Sequence, residues 1–225
     1  MILFLIFFLF VFVLPKFWLS NAMKKNDEEL MNMPFTAEEF GQIILKENNL
    51  SDVKIEETEK IDHYDLHDKT VRVQQGRLAK KSLTSLTIIC HEIGHAIQHK
   101  EEYGPLVRRT SLVERTQWIS KFGGVILYSG LPLILATGSF GLIKVCLLLV
   151  LISVLLGVFI HLITLNVEID ASFNRAMPIL EEKIPSEYHS QCKNVLQAAA
   201  YTYVIGALTS FLSLRYIWLL LSRVR

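Results

Sequence analysis

The sequence predicts a mostly α-helical membrane protein, with about four transmembrane helices and a small α+β domain at the membrane surface. Two observations carry this. Hydrophobic residues make up 51% of the 225-residue chain and fall in long blocks rather than at regular helical or strand spacing, a membrane-protein composition. Between the blocks lie two polar stretches, 21–121 and 166–194, the first long enough for a small domain.

A run of about 20 apolar residues can cross a hydrocarbon core about 30 Å thick. Four such runs are present. The first, within an anchor at 1–20, extends from Ile2 to Leu19 and is broken only by Pro15 and Lys16. Ser20-Asn21-Ala22 could be a signal-peptidase site, but Lys16, Lys24 and Lys25 follow the apolar run instead of preceding it, so an uncleaved anchor is favoured. The second and third runs, Phe122–Phe140 and Val145–Leu165, are joined by a short turn at Gly138–Lys144 and read as a hairpin over 122–165. The fourth, within 195–221, carries Arg215 near its end, where a long side chain can snorkel to the interface.

In the polar region, Thr36 stands three residues before Glu39, the spacing of a capping box, and Phe40, Ile43 and Ile44 follow at helical spacing. This helix should end near Asn48-Asn49. Val53–Glu56 and Thr70–Gln74 alternate in polarity, suggesting short antiparallel strands with a turn near His67-Asp68. From Ser82 the period becomes 3.6, with Leu83, Leu86, Cys90, Ile93 and Ile97 on one stripe of a half-buried helix.

That helix carries His91-Glu92-Ile93-Gly94-His95. Histidines four apart share one helix face and can both aim a ring nitrogen at a single ion. Glu92 falls beside that ion without needing to bind it, where a carboxylate can take a proton from metal-bound water and pass it to a leaving amine. Gly94 leaves open space beside the site. Chance alone would produce an H-E-x-x-H pattern in about one or two in a hundred such chains, so a metal site is the stronger reading. Zn2+ is the cofactor this donor set suits.

A catalytic zinc usually has three protein ligands. The longer signature with a third histidine requires Gly and His where Gln98 and Glu101 stand, and that class is excluded. His99, about 12 Å along the axis from His91, is too far to share its ion and reads as a solvated or interfacial side chain. Two glutamates remain as third ligand, Glu114 and Glu168. The two spans between His95 and Glu168 would return Glu168 to the membrane face of the histidines, and Glu168 would open a helix that ends near Pro178, so parity and position favour it. An N-terminal carboxylate that merely complements its helix dipole is the plainer account of Glu168.

The combination of His91–Gln98, an apolar hairpin, Val167-Glu168-Ile169-Asp170-Ala171-Ser172 and Asn194–Ala200 resembles the YugP-type membrane zinc metallopeptidases, and the likeness extends upstream to Asp62–Asp65 and Lys69–Arg72. The resemblance implies a zincin-like domain, zinc on His91, His95 and Glu168, and Glu92 as general base in hydrolysing peptide bonds of membrane or membrane-associated proteins. More distantly the chain is similar to HtpX-type proteases, whose ligand glutamate opens an E-x-x-A-D pattern. Here Ser172 replaces the aspartate that would orient a ligand histidine, so Asp170 or a backbone carbonyl becomes the candidate for that role. His63 and Tyr64 are candidate oxyanion donors, with a packed turn the favoured reading. The Lys69–Gln74 strand is a candidate edge for an extended peptide.

Other classes fit less well. A net charge of +1 without a basic stripe argues against a nucleic-acid partner. The three cysteines, Cys90, Cys146 and Cys192, lack C-x-x-C spacing and read as buried thiols. A transporter would need ionisable groups in its spans, which contain almost none besides His161. A non-catalytic metal-binding scaffold is the main rival, yet it would have no use for Glu92. Lys24, Lys25, Arg108, Arg109, Arg115 and Lys121 lie on the side of the two polar regions, against Lys144, Arg223 and Arg225 opposite, which places the active site on the cytoplasmic side of the cell membrane.

Overall fold

The computed structural model describes residues 17–130, 134, 136 and 139–223. They form two compact units, one from Met1–Val107 with Asn166–Thr202, the other from Arg108–Leu165 with Tyr203–Arg225.

In the first unit, helix α1 (Ala37–Glu47) opens on the expected capping box. The Thr36 N–H donates to Glu39 Oε2 at 2.8 Å and the Glu39 N–H to Thr36 Oγ1 at 3.3 Å, which satisfies two otherwise orphaned donors. Phe40 and Ile44 are buried, whereas Ile43 points outward at 40% exposure. The helix stops at Asn48, and Asn49 takes a left-handed φ of 53°, a conformation asparagine tolerates.

Strands β1 (Lys54–Thr58), β2 (His63–Asp65) and β3 (Thr70–Gln74) form one sheet in the order β1-β3-β2. Only β2 and β3 make the antiparallel hairpin, with its turn at 66–69. β1 runs parallel to β3, Ile55 opposite Val71. The Lys69–Gln74 strand is therefore the centre of the sheet and has no free edge for a peptide. Alternation specifies which face of a strand is buried and leaves its neighbours open.

Helix α2 (Leu83–Lys100) starts where Ser82 Oγ accepts the Ser85 N–H at 3.2 Å. It is buried on nearly every side, not one, because α1 and the sheet cover part of it and residues 170–183 another part. Ile89 and Ile93 are fully buried there with Val71, Leu180 and Leu196. Each such side chain contributes about 1.5–3 kcal/mol by leaving water.

Helix α3 is Gly104–Val125, followed by a π-helical turn at Ile126–Gly130, and α4 is Phe140–Ile169. A π-helical segment, Asp170–Ala176, joins α4 to α5 (Met177–Lys183), and α6 is His189–Arg223. Among the described residues one helix, Gly141–Lys183, is long and apolar enough to cross a membrane, and the expected four are not found. Its most apolar 18 residues have a mean hydropathy of 3.0 and are only 17% buried, with Leu148, Ile152, Leu155 and Phe159 on one exposed ridge.

The other three runs lie at least in part outside the described residues, and one of them continues a polar helix. The apolar residues after Lys121 continue a helix that begins in polar sequence, with Arg108, Arg109, Glu114 and Arg115 ahead of them, and most of 131–138 lies outside the described residues. Residues 1–16 of the N-terminal run also lie outside them, as do the side chains of α6 beyond Leu208. All three cysteines are free and buried. His161 packs against Gly206, where a Cβ would come within 2.7 Å of its ring.

Candidate metal centre

His91 and His95 lie on α2 one turn apart, with ring centroids 4.8 Å from each other. Glu168 faces them from the last turn of α4. Its Oε2 is 3.2 Å from His91 Nε2 and 3.5 Å from His95 Nε2, and one ligand atom from each residue lies within 4.8 Å of the others. These separations are longer than a charge-assisted N–H···O bond of about 2.7–2.9 Å. They match the edge of a tetrahedron around zinc, where bonds of about 2.0–2.2 Å place neighbouring ligand atoms about 3.3–3.6 Å apart. Two imidazoles and a carboxylate with this spacing fit a divalent transition metal, and among the described residues this is the group that does. Glu114 does not belong to it.

Glu168 arrives by a different route from the one expected. It does not open a helix, because α4 runs on through the π-helical turn into α5, so a helix-dipole role is removed. Nor does parity place it, since among the described residues only one of the two intervening runs is long and apolar enough to cross a membrane. Pro178 does not end the helix either. It sits in the first turn of α5, directly after the π-helical residues, where the widened turn accommodates the missing N–H and the ring that would press on the preceding turn. Glu168 and Ser172 are four residues apart and meet the His91–His95 pair, so two i, i+4 pairs face each other across the site.

Ser172 places Oγ 3.1 Å from His91 Nδ1. His95 Nδ1 lies 3.0 Å from Gln98 Oε1, and Gln98 in turn reaches Asp170 and the Val167 carbonyl. The sequence reading assigns the orienting of a ligand histidine to Asp170 or a backbone carbonyl and passes over Ser172 and Gln98 as partners of the histidines. Gln98 stands three residues after His95, on the same helix face, which is the one signal that could have found it.

Gly94 faces no open space. A Cβ there would lie 2.7 Å from the Ala171 carbonyl oxygen, so glycine is what allows α2 and the 170–176 turn to approach closely enough to share the site. Glu92 is 7% exposed. Burial raises its carboxyl above the ordinary range, while His91 and His95 pull it down and Glu168 pushes it further up. His63 Nδ1 lies 2.8 Å from the Ile61 carbonyl oxygen and Tyr64 Oη lies 3.0 Å from His99 Nδ1. Burial pushes the Tyr64 hydroxyl up to about 12, so it stays neutral, and His99 is a half-buried partner of that tyrosine instead of a solvated side chain.

Burial opposes a charge on His95 most strongly, yet the Glu168 carboxylate beside it lifts the imidazolium to about 9. A metal ion must displace that proton to bind. Affinity should therefore rise about tenfold per pH unit up to pH 9 and level off above it. Metal titrations at pH 6.5, 7.5 and 8.5 check this, and a flat profile would contradict it.

Comparison with known proteins gives a consistent picture. The model of a family described as "Putative neutral zinc metallopeptidase" matches residues 1–222. The chain is similar to a protein of Bacillus subtilis (strain 168) described as "Putative membrane protease YugP", 33% identical over 214 residues that cover 92% of each chain. No solved structure gives a significant match.

Proposed function

Because the chain belongs to this neutral zinc metallopeptidase family, we propose that it is a zinc-dependent endopeptidase that hydrolyses peptide bonds of membrane or membrane-associated proteins. The observation that carries the reading is the meeting of His91, His95 and Glu168 at zinc-ligand spacing, with Glu92 buried beside them.

In this reading His91 and His95 give their Nε2 atoms and Glu168 a carboxylate oxygen to the ion. Zinc, when bound, supplies a Lewis acid that polarises the scissile carbonyl and acidifies water. Glu92 is the general base. A buried carboxylate whose pKa lies above the usual range accepts a proton readily and can then release it to the departing amine, a role worth about 10²–10⁴ in rate. Ser172 and Gln98 hold the two imidazoles from behind, which keeps Nε2 of each free for the ion.

A membrane setting is supported by the Gly141–Lys183 helix and by the description of the Bacillus protein as a membrane protease. The lysines and arginines of 21–121 favour a cytoplasmic active site. The purified full chain in detergent should cleave unfolded peptide substrates, lose that activity to a zinc chelator and regain it with added zinc. A protein that holds zinc and cleaves none of a broad peptide library would instead be a non-catalytic scaffold.

A further inference from the structure

We propose that Gln98, gripped by Asp170, is a positioning residue that sets the ring orientation and tautomer of His95. The proposal rests on the metal-site reading above. Gln98 is completely buried, and a buried amide needs partners at both ends. Its Nε2 faces two acceptors, the Val167 carbonyl at 2.9 Å and Asp170 Oδ2 at 2.8 Å, which use both of its N–H donors. The amide therefore has one possible orientation, because reversing it would set an oxygen against a carbonyl and a carboxylate.

In that orientation Oε1 can only accept, so His95 Nδ1, 3.0 Å away, keeps its proton when a metal displaces the one on Nε2. The Nε2 lone pair is then the one that faces the ion beside Glu168.

Asp170 is held in turn. Oδ1 accepts from Asn174 Nδ2 at 2.9 Å, and Oδ2 accepts from Arg175 Nε at 2.7 Å. Arg175 Nη1 donates to Glu101 Oε2 at 2.7 Å, at the C-terminal end of α2. The anchors of Gln98 come from residues 167 and 170, either side of Glu168. One stretch of chain thus carries a ligand and also fixes the partner of another, so His95 and Glu168 move as a registered pair.

The test compares wild type with Gln98→Leu, Gln98→Glu and the double variant Gln98→Glu/Asp170→Asn. The readouts are the zinc dissociation constant, the visible spectrum of the cobalt-substituted protein and the Tm of the metal-free protein. Each single variant should bind zinc about 10–100-fold more weakly and shift the cobalt spectrum. In Gln98→Glu a carboxylate meets Asp170. In the double variant an asparagine can donate to that carboxylate, so part of the affinity should return, although the Val167 carbonyl still faces an oxygen.

Wild-type zinc affinity and cobalt spectrum in Gln98→Glu, with or without a lower metal-free Tm, would overturn the proposal and leave Gln98 a purely structural residue. If Gln98→Leu does not fold, the comparison of Gln98→Glu with the double variant decides. Failure of wild type to bind zinc would instead overturn the metal-site reading itself.

Discussion

Replacing Glu92 with glutamine should leave zinc bound and lower kcat/KM for peptide cleavage by about 10²–10⁴-fold. The two side chains have nearly the same size, so His91, His95 and Glu168 keep their places. Glu92 is almost wholly buried and burial raises its carboxyl, which means the site already resists a charge there. A neutral amide removes that charge, and the Tm should not fall. What the amide cannot do is accept a proton. Zinc content and cleavage rates on the same preparation separate the roles, and loss of zinc along with cleavage would make Glu92 a ligand instead of a base.

A methyl group at Gly94 should damage the site almost as severely without touching a ligand. The atoms that a Cβ would meet, the Ala171 oxygen at 2.7 Å with its carbon at 3.4 Å and Cα at 3.5 Å, all belong to backbone. They cannot rotate away as a side-chain tip could, so α2 and the 170–176 turn must separate. Overpacking of this kind costs about 1–3 kcal/mol, which outweighs the roughly 1 kcal/mol that alanine gains over glycine inside a helix. The separation also falls between the two halves of the donor set, His91 and His95 on one side and Glu168 on the other. Gly94→Ala should therefore weaken zinc binding more than tenfold and lower the Tm. Gly124→Ala, where nothing lies within 4 Å of the new methyl, is the control and should do neither. Unchanged zinc affinity in Gly94→Ala would show that the approach of the two segments is not what holds the site.

Features fixed by local chemistry were legible in the sequence. The Thr36–Glu39 capping box depends on residues within one turn and stands where its spacing puts it. The His91–His95 pair is equally local, whereas residue type left Glu168 level with Glu114, and the parity and helix-opening position that favoured it are not what brings it to the site. Features that depend on partners far along the chain were not legible. The alternation of β1 and β3 does not say that they run parallel, or that β3 ends up in the centre. Hydropathy measures the length of an apolar run but not where its helix begins, so the run after Lys121 passed as a separate span although it continues the polar helix α3. The π-helical turn at 170–176 has no sequence signature of its own, and it carries α4 through the positions where Glu168 was expected to open a helix and Pro178 to end one. The Gln98–Asp170 contact spans 72 residues, and no spacing rule reaches that far.

The central claim is that a glutamate in the last turn of the apolar helix α4 completes a zinc site begun by two histidines 73–77 residues earlier. Bound zinc, counted per chain in wild type, Glu168→Ala and Glu114→Ala, tests it most directly. A single zinc in wild type and in Glu114→Ala, with little or none in Glu168→Ala, is the expected result. Full zinc in Glu168→Ala with loss in Glu114→Ala would contradict it.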